Sequence, residues 1–249
     1  MSQAQEDRGG ACLVVGAGDG LGGAVARAFA AEGLTACVTR RPRNGEQLDE
    51  LAQAITAAGG KARAFGVDAR EEGDMIALFE TIEAEVGPLE VVVFNIGANV
   101  RFPVLETTSR VFTKVWEMAC FAGFLTGREA ARVMLPRGRG TIIFTGATAS
   151  VRGREGFAAF AAAKHGLRAV AQSLARELAP QGIHVAHAVI DGAVDGVFSR
   201  SNIPDVEARL AQDSILKPAD IAAAYVALHR QPRSAWTHEL DLRPWSESW

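Results

Sequence analysis

The sequence predicts a doubly wound α/β sheet, with about seven parallel strands in a single domain and helices on both faces. Three observations carry that expectation. Short apolar runs alternate with amphipathic stretches from end to end, the pattern of parallel strands joined by crossover helices. No internal repeat or low-complexity linker interrupts the alternation. A length of 249 residues and a hydrophobic share of 48% suit one large domain able to bury a sizeable core.

The elements follow in order. ACLVVG (11–16) reads as a buried strand, and GLGGAVARAFAAEG (20–33) carries helical spacing through Leu21, Val25, Ala28 and Phe29 before stopping at Gly33. The same unit recurs as TACVTR with EQLDELAQAITAAGG, and as KARAFGVD with EEGDMIALFETIEAEVG. LEVVVFNIG then precedes one long helical stretch around 109–134. TIIFTG, a helix near 156–179 and IHVAHAVI come next, followed by a helix near 218–230 and the strand-like WTHELDLRP. Residues 1–10 read as a flexible polar tail ahead of one domain over 11–249. Right-handed crossovers place any ligand at the carboxyl ends of the strands.

Bulk properties exclude several functions. A net charge of −3 offers no field for nucleic acid or an anionic membrane surface. The polar start MSQAQEDRGG has no apolar signal core, and no run approaches the roughly 20 residues of a membrane span, so a cytoplasmic location is expected. The three cysteines, Cys12, Cys37 and Cys120, are scattered without metal-ligand spacing, and no metal site is expected.

Two glycine patterns overlap after the first strand. Gly18, Gly20 and Gly23 satisfy G-x-G-x-x-G, while Gly16, Gly20 and Gly22 satisfy G-x-x-x-G-x-G. The second fits better, because Gly16 directly follows the apolar run and Gly22 falls in the first helical turn. Small residues over 16–22, including Gly18 beside Asp19 and Leu21, let backbone approach a pyrophosphate at a helix N-terminus. At the end of the second strand an acid would read the ribose hydroxyl of NAD. Here Thr39, Arg40 and Arg41 stand in its place, with Arg43 beyond. A guanidinium suits a 2′-phosphate, which favours NADP, with NAD as the other choice.

Further motifs resemble the short-chain dehydrogenase/reductase family over nearly the whole chain. Val67-Asp68 is similar to its adenine-contacting pair, and Asn95-Ile-Gly97 to the end of its Asn-Asn-Ala-Gly, with Phe94 at the first Asn. Lys164 matches the lysine of the active-site helix, and Asp191-Gly192 stands where Pro-Gly is usual. The resemblance implies a Rossmann-like fold, a small carbonyl or alcohol substrate, and a homodimer or homotetramer built on the alanine-rich faces of 109–134 and 156–179. It also implies a catalytic tyrosine, serine and asparagine, with a lysine that binds the nicotinamide ribose.

Only the lysine is present. The tyrosine position holds Phe160, the serine position Ala147 and the asparagine position Cys120. Neither phenylalanine nor alanine can exchange a proton with a carbonyl, and a positioned general acid is worth about 10²–10⁴ in rate. Thr148 and Ser150 are candidate hydroxyls if the loop register shifts. Asp191 is a candidate base or a partner for Lys164. The two open readings are an oxidoreductase with an atypical or impaired site and a non-catalytic dinucleotide sensor or scaffold.

On the substrate side, Gly196 replaces the family's threonine after Pro-Gly-x-Val-x. Arg101, Arg152, Arg154 and Arg200 are candidates to favour an anionic ligand, and Phe102, Phe157, Phe160 and Phe198 to form an apolar wall. His165 should turn about 100° from Lys164, while His184, His187 and His238 fall on strands.

Overall fold

The computed structural model describes residues 9–248, and the expected N-terminal tail lies outside them except for Gly9 and Gly10. Seven strands form one sheet in the order β3-β2-β1-β4-β5-β6-β7, and every neighbouring pair is parallel. The strands are β1 (Ala11–Val15), β2 (Thr35–Arg40), β3 (Lys61–Gly66), β4 (Leu89–Phe94), β5 (Gly140–Thr145), β6 (Ile183–Ile190) and β7 (Glu239–Leu242). The helices between them are α1 (Leu21–Ala31), α2 (Gly45–Ala57), α3 (Glu72–Glu85), α4 (Ser109–Trp116), α5 (Ala122–Met134), α6 (Ala158–Leu178), α7 (Val197–Asn202), α8 (Val206–Ala211) and α9 (Pro218–His229).

Parallel strands covered on both faces have no polar side, and β1 is buried at all five positions. Its side chains alternate between two cores. Leu13 and Val15 join Met75 and Phe79 of α3, Leu125 of α5 and Leu167 of α6. Cys12 and Val14 join Phe29 of α1, Leu51 of α2 and Tyr225 of α9. Cys12 and Cys37 are therefore core residues, their thiols pushed up by burial, that of Cys37 to about 12. Among the described residues no helix is long and apolar enough to cross a membrane.

The stretch expected as one helix at 109–134 is continuous but not uniform. A π turn at Glu117–Phe121 separates α4 from α5. The wider turn contains Cys120, and such turns are frequent at functional sites. Strand order reverses between β1 and β4, which opens a crevice at their carboxyl ends.

The turn from β1 into α1 has little room for side chains. Gly16 has φ +95°, in the left-handed region, and a β-carbon there would lie 3.0 Å from Ile96. At Gly22 a β-carbon would meet the Gly16 carbonyl oxygen at 2.4 Å and the Ala17 α-carbon at 2.8 Å. Backbone must move to admit it, so Gly22→Ala should cost about 1–3 kcal/mol, as overpacking does. Urea denaturation should show a lower midpoint at unchanged slope. An unchanged midpoint would mean that the joint is looser than described.

Candidate functional site

Two cavities open at the carboxyl edge of the sheet, and the glycine loop borders both. The smaller, about 280 Å³, is lined by Gly16, Gly18, Arg40, Arg41, Asp68, Asn95 and Gly97. Asn95 Nδ2 donates to the Gly16 carbonyl at 3.1 Å, tying the end of β4 to the loop. The Arg40 guanidinium lies beside Gly18, and its Nη1 donates to Gln47 Oε1 at 3.3 Å. Asp68 is held by Arg70, whose Nε and Nη2 donate at 2.9 and 2.6 Å, and these bonds keep its carboxyl below the usual range. Gly20 caps α1 without a side chain, and the space where its β-carbon would lie is open. Gly22 is buried beneath the loop, while Asp19 is exposed and lines neither cavity.

The larger cavity, about 670 Å³, is lined by Leu21, Thr148, Arg152, Phe160 and Gly192, among others. Phe160 and Lys164 lie one turn apart on α6, hence on one face. Lys164 is 2% exposed, and its Nζ donates to the carbonyls of Ile96 at 3.0 Å and Thr145 at 2.9 Å. Burial draws its pKa from the ordinary 10.5 down to about 7. Nζ sits 6.0 Å from the centroid of the Phe160 ring. Phe160, Cys120 and Ala147 belong to one apolar cluster with Val115, Ala149 and Ala163. The three positions singled out from the sequence thus meet in space, and what they form is a hydrocarbon and thiol surface.

Asp191 does not pair with Lys164. It is 1% exposed and accepts from Thr148 Oγ1 at 2.6 Å and from Arg152 Nη2 at 3.1 Å, with Arg243 Nη1 at 3.6 Å. Two guanidinium groups outcompete one lysine, which already has its carbonyls. Thr148 lines the cavity, but its proton is committed to Asp191, so it presents only lone pairs there. Ser150 is fully buried and its Oγ accepts from the Ala147 amide, so no shift of register brings it into the cavity. The chain's one tyrosine, Tyr225, is buried in the opposite core against Thr145 Oγ1 at 2.9 Å, and burial raises its pKa.

Comparison with known proteins matches residues 11–206 to the family described as short chain dehydrogenase. The chain belongs to the short-chain dehydrogenase/reductase family. It is 30% identical over 194 residues to a 2-dehydro-3-deoxy-D-gluconate 5-dehydrogenase of Formosa agariphila, covering 78% of this chain and 71% of that one. It is 30% identical over 224 residues to 3beta-hydroxysteroid dehydrogenase 1 of Eggerthella lenta, covering 87% and 85%. Among solved structures, a short-chain dehydrogenase from Rhodopseudomonas palustris shares 52% identity at a TM-score of 0.81, covering 95% of this chain and 99% of that one. Actinorhodin polyketide ketoreductase, solved as a variant with NADPH, shares 25% at a TM-score of 0.85, covering 95% and 96%.

Other expected positions in this short-chain dehydrogenase/reductase divide. Arg154 and Phe157 line the larger cavity with Arg152 and Phe160. Arg200 instead pairs with Asp195 and Glu207, and Arg101 packs beside Gly156. Phe198 is 70% exposed and Phe102 39%, so neither forms a buried wall. His165 Nδ1 faces the Ala161 carbonyl at 2.9 Å, turned from the site as expected, and His184 and His187 are buried strand residues. Sequence reasoning missed Arg70, Arg209, Arg243 and Glu247. For Arg70 a signal was present in its spacing, two residues after Asp68. The other three reach the site from distant segments.

Lys164 gives a pH test. From pH 7 to 9 the unfolded lysine is protonated and the folded one largely is not, so the unfolded state binds more protons and stability rises with pH. Over that window the gain should be about 2 kcal/mol. Above pH 9 the buried Cys12 and Cys37 thiols reverse the trend, since they ionise only on unfolding. Lys164→Met should abolish the rise. Denaturation midpoints across pH 7–9 check it, and equal slopes in the two proteins would exclude a neutralised lysine.

Proposed function

We propose that this chain is an NADP(H)-dependent oxidoreductase that lacks the proton path usual in its family. The observation that carries this reading is Lys164, bound to the Ile96 and Thr145 carbonyls one helical turn from Phe160, while Phe160, Ala147 and Cys120 form an apolar cluster. The residues present suit a dinucleotide. Close approach at Gly16 and Gly22, with free space above Gly20, suits a pyrophosphate beside the uncapped end of α1. Arg40 and Arg41 suit a 2′-phosphate, Asp68 and Gly97 flank the place for adenine, and Lys164 suits the nicotinamide ribose. The NADPH held by the ketoreductase neighbour supports the same assignment.

Bound nicotinamide would supply or accept hydride. The chain's own residues then orient and enclose: Phe157 and Phe160 exclude water from one wall, and Gly192 shapes the other. No phenol stands over Lys164, so ordinary exchange between a ketone and an alcohol is slowed by roughly the 10²–10⁴ that a positioned acid contributes. The exposed rings of Phe112, Trp116 and Phe124 on α4 and α5 support a homodimer formed through these helices.

Restoring both groups tests the reading. Phe160→Tyr with Ala147→Ser should raise NADPH-dependent reduction across a carbonyl panel by about 10²-fold. Tight NADPH binding with no activity before or after restoration would reject the oxidoreductase and leave a dinucleotide-binding protein. For cofactor choice, calorimetry on Arg40→Ala should show NADPH weakened about tenfold or more, the worth of a charge-assisted hydrogen bond, and NADH nearly unchanged. Equal losses would reject a phosphate-reading arginine.

A further inference from the structure

The larger cavity carries an unbalanced charge. Arg152, Arg154 and Arg209 line it, and Glu247 is the one acidic side chain among its lining residues. The neighbouring carboxylate of Asp191 is already shared by Arg152 and Arg243. Counting Asp241 as well, which also pairs with Arg243, four guanidinium groups face three carboxylates. Arg154 and Arg209 make no side-chain hydrogen bond or ion pair among the described residues, although elsewhere in the structure arginines such as Arg63, Arg139 and Arg168 have found carboxylates. Arg152 gives only Nη2 to Asp191, which leaves its Nε and Nη1 hydrogens for another acceptor.

These arginines come from two separate elements. Arg152 and Arg154 lie in the loop between β5 and α6, and Arg209 lies on α8. Phe157 and Phe160 add apolar side chains to the same lining. A cleft with low-dielectric walls and one dominant sign of charge concentrates ions of the opposite sign. A planar guanidinium also matches a carboxylate with two parallel hydrogen bonds.

We infer that the substrate cavity takes an amphipathic anion: a carbonyl or alcohol compound with an apolar body and a carboxylate, the carboxylate held by Arg154 and Arg209 with Arg152 beside them. This assignment rests on the oxidoreductase reading, because it names the substrate class for that site. Thr148 fits the same picture. With its proton given to Asp191, its lone pairs can receive a hydroxyl donor on the substrate but offer nothing to an anion, which leaves the anionic end to the arginines.

The test uses the full-length protein and two matched probes, 4-acetylbenzoate and the neutral 4-acetylbenzamide, each titrated by calorimetry with and without saturating NADPH. The benzoate should bind about tenfold more tightly than the amide, and that preference should shrink in high salt, as expected for partly exposed charges. In Arg154→Ala with Arg209→Ala the preference should fall to within about twofold, the amide and NADPH affinities staying unchanged. Arg200→Ala, whose guanidinium is paired outside the cavity, should keep the full preference. Equal affinity for the two probes, or a preference that survives in the double variant, overturns the anion assignment alone when NADPH still binds. Loss of NADPH affinity in the double variant would give these arginines to the dinucleotide and also overturn it. Failure of the wild type to bind NADPH removes the underlying reading instead.

Discussion

The first strand and the first helix meet backbone to backbone, and the rest of the site is arranged around that contact. A helix that begins so close to a strand end leaves no space for side chains between them, so the loop is glycine and its amides lie at the sheet edge. The Gly16 carbonyl, on which Gly22 packs, also accepts the amide of Asn95. One peptide group therefore joins β1, α1 and β4, the three segments that flank the reversal of strand order. Lys164 is placed by the same logic one layer away, since its ammonium is fastened to carbonyls at the ends of β4 and β5 rather than to any acid.

Two ionisable groups lie buried near each other in sequence logic but not in chemistry. Asp191 pairs with arginines and accepts from a threonine, Lys164 donates to peptide carbonyls, and neither needs the other. Removing a charge from water is costly unless its hydrogen-bonding capacity is met, and here each is met by its own set. Phe160, Ala147 and Cys120 are self-consistent in the same sense. The three residues share an apolar cluster, and none of their side chains brings a hydroxyl or amide that would need a partner there.

Local pattern made the fold legible. The inner strands were readable because burial on both faces writes continuous apolar runs, the half-exposed edge strands β3 and β7 because apolar and polar residues alternate in KARA and ELDL, and helix ends fell near glycines such as Gly33, which has φ +89°. The π turn was not readable, because widening one turn changes the hydrogen-bond count without changing the apolar pattern around 109–134. At the site, residues fixed by spacing within one element were placed well, as with Phe160 and Lys164 on α6. Side-chain partnerships across elements were not. Nothing near Asp191 in the chain announces Arg243, which arrives just past β7, and nothing near Arg154 announces Arg209 on α8. The same limit let Arg101 and Arg200 be grouped with the cavity arginines although their own neighbours hold them elsewhere.

Tyr225 has a consequence of its own. As the chain's one phenol, sealed in the α9 core with its oxygen bound to Thr145, it ionises only at a pH beyond the ordinary range for tyrosine. The folded protein therefore shows no phenolate difference signal when titrated through mildly alkaline solution. Any tyrosine placed on the accessible face of the molecule would be seen as a change in absorbance over the constant contribution of the four tryptophans, its ionisation read without a label.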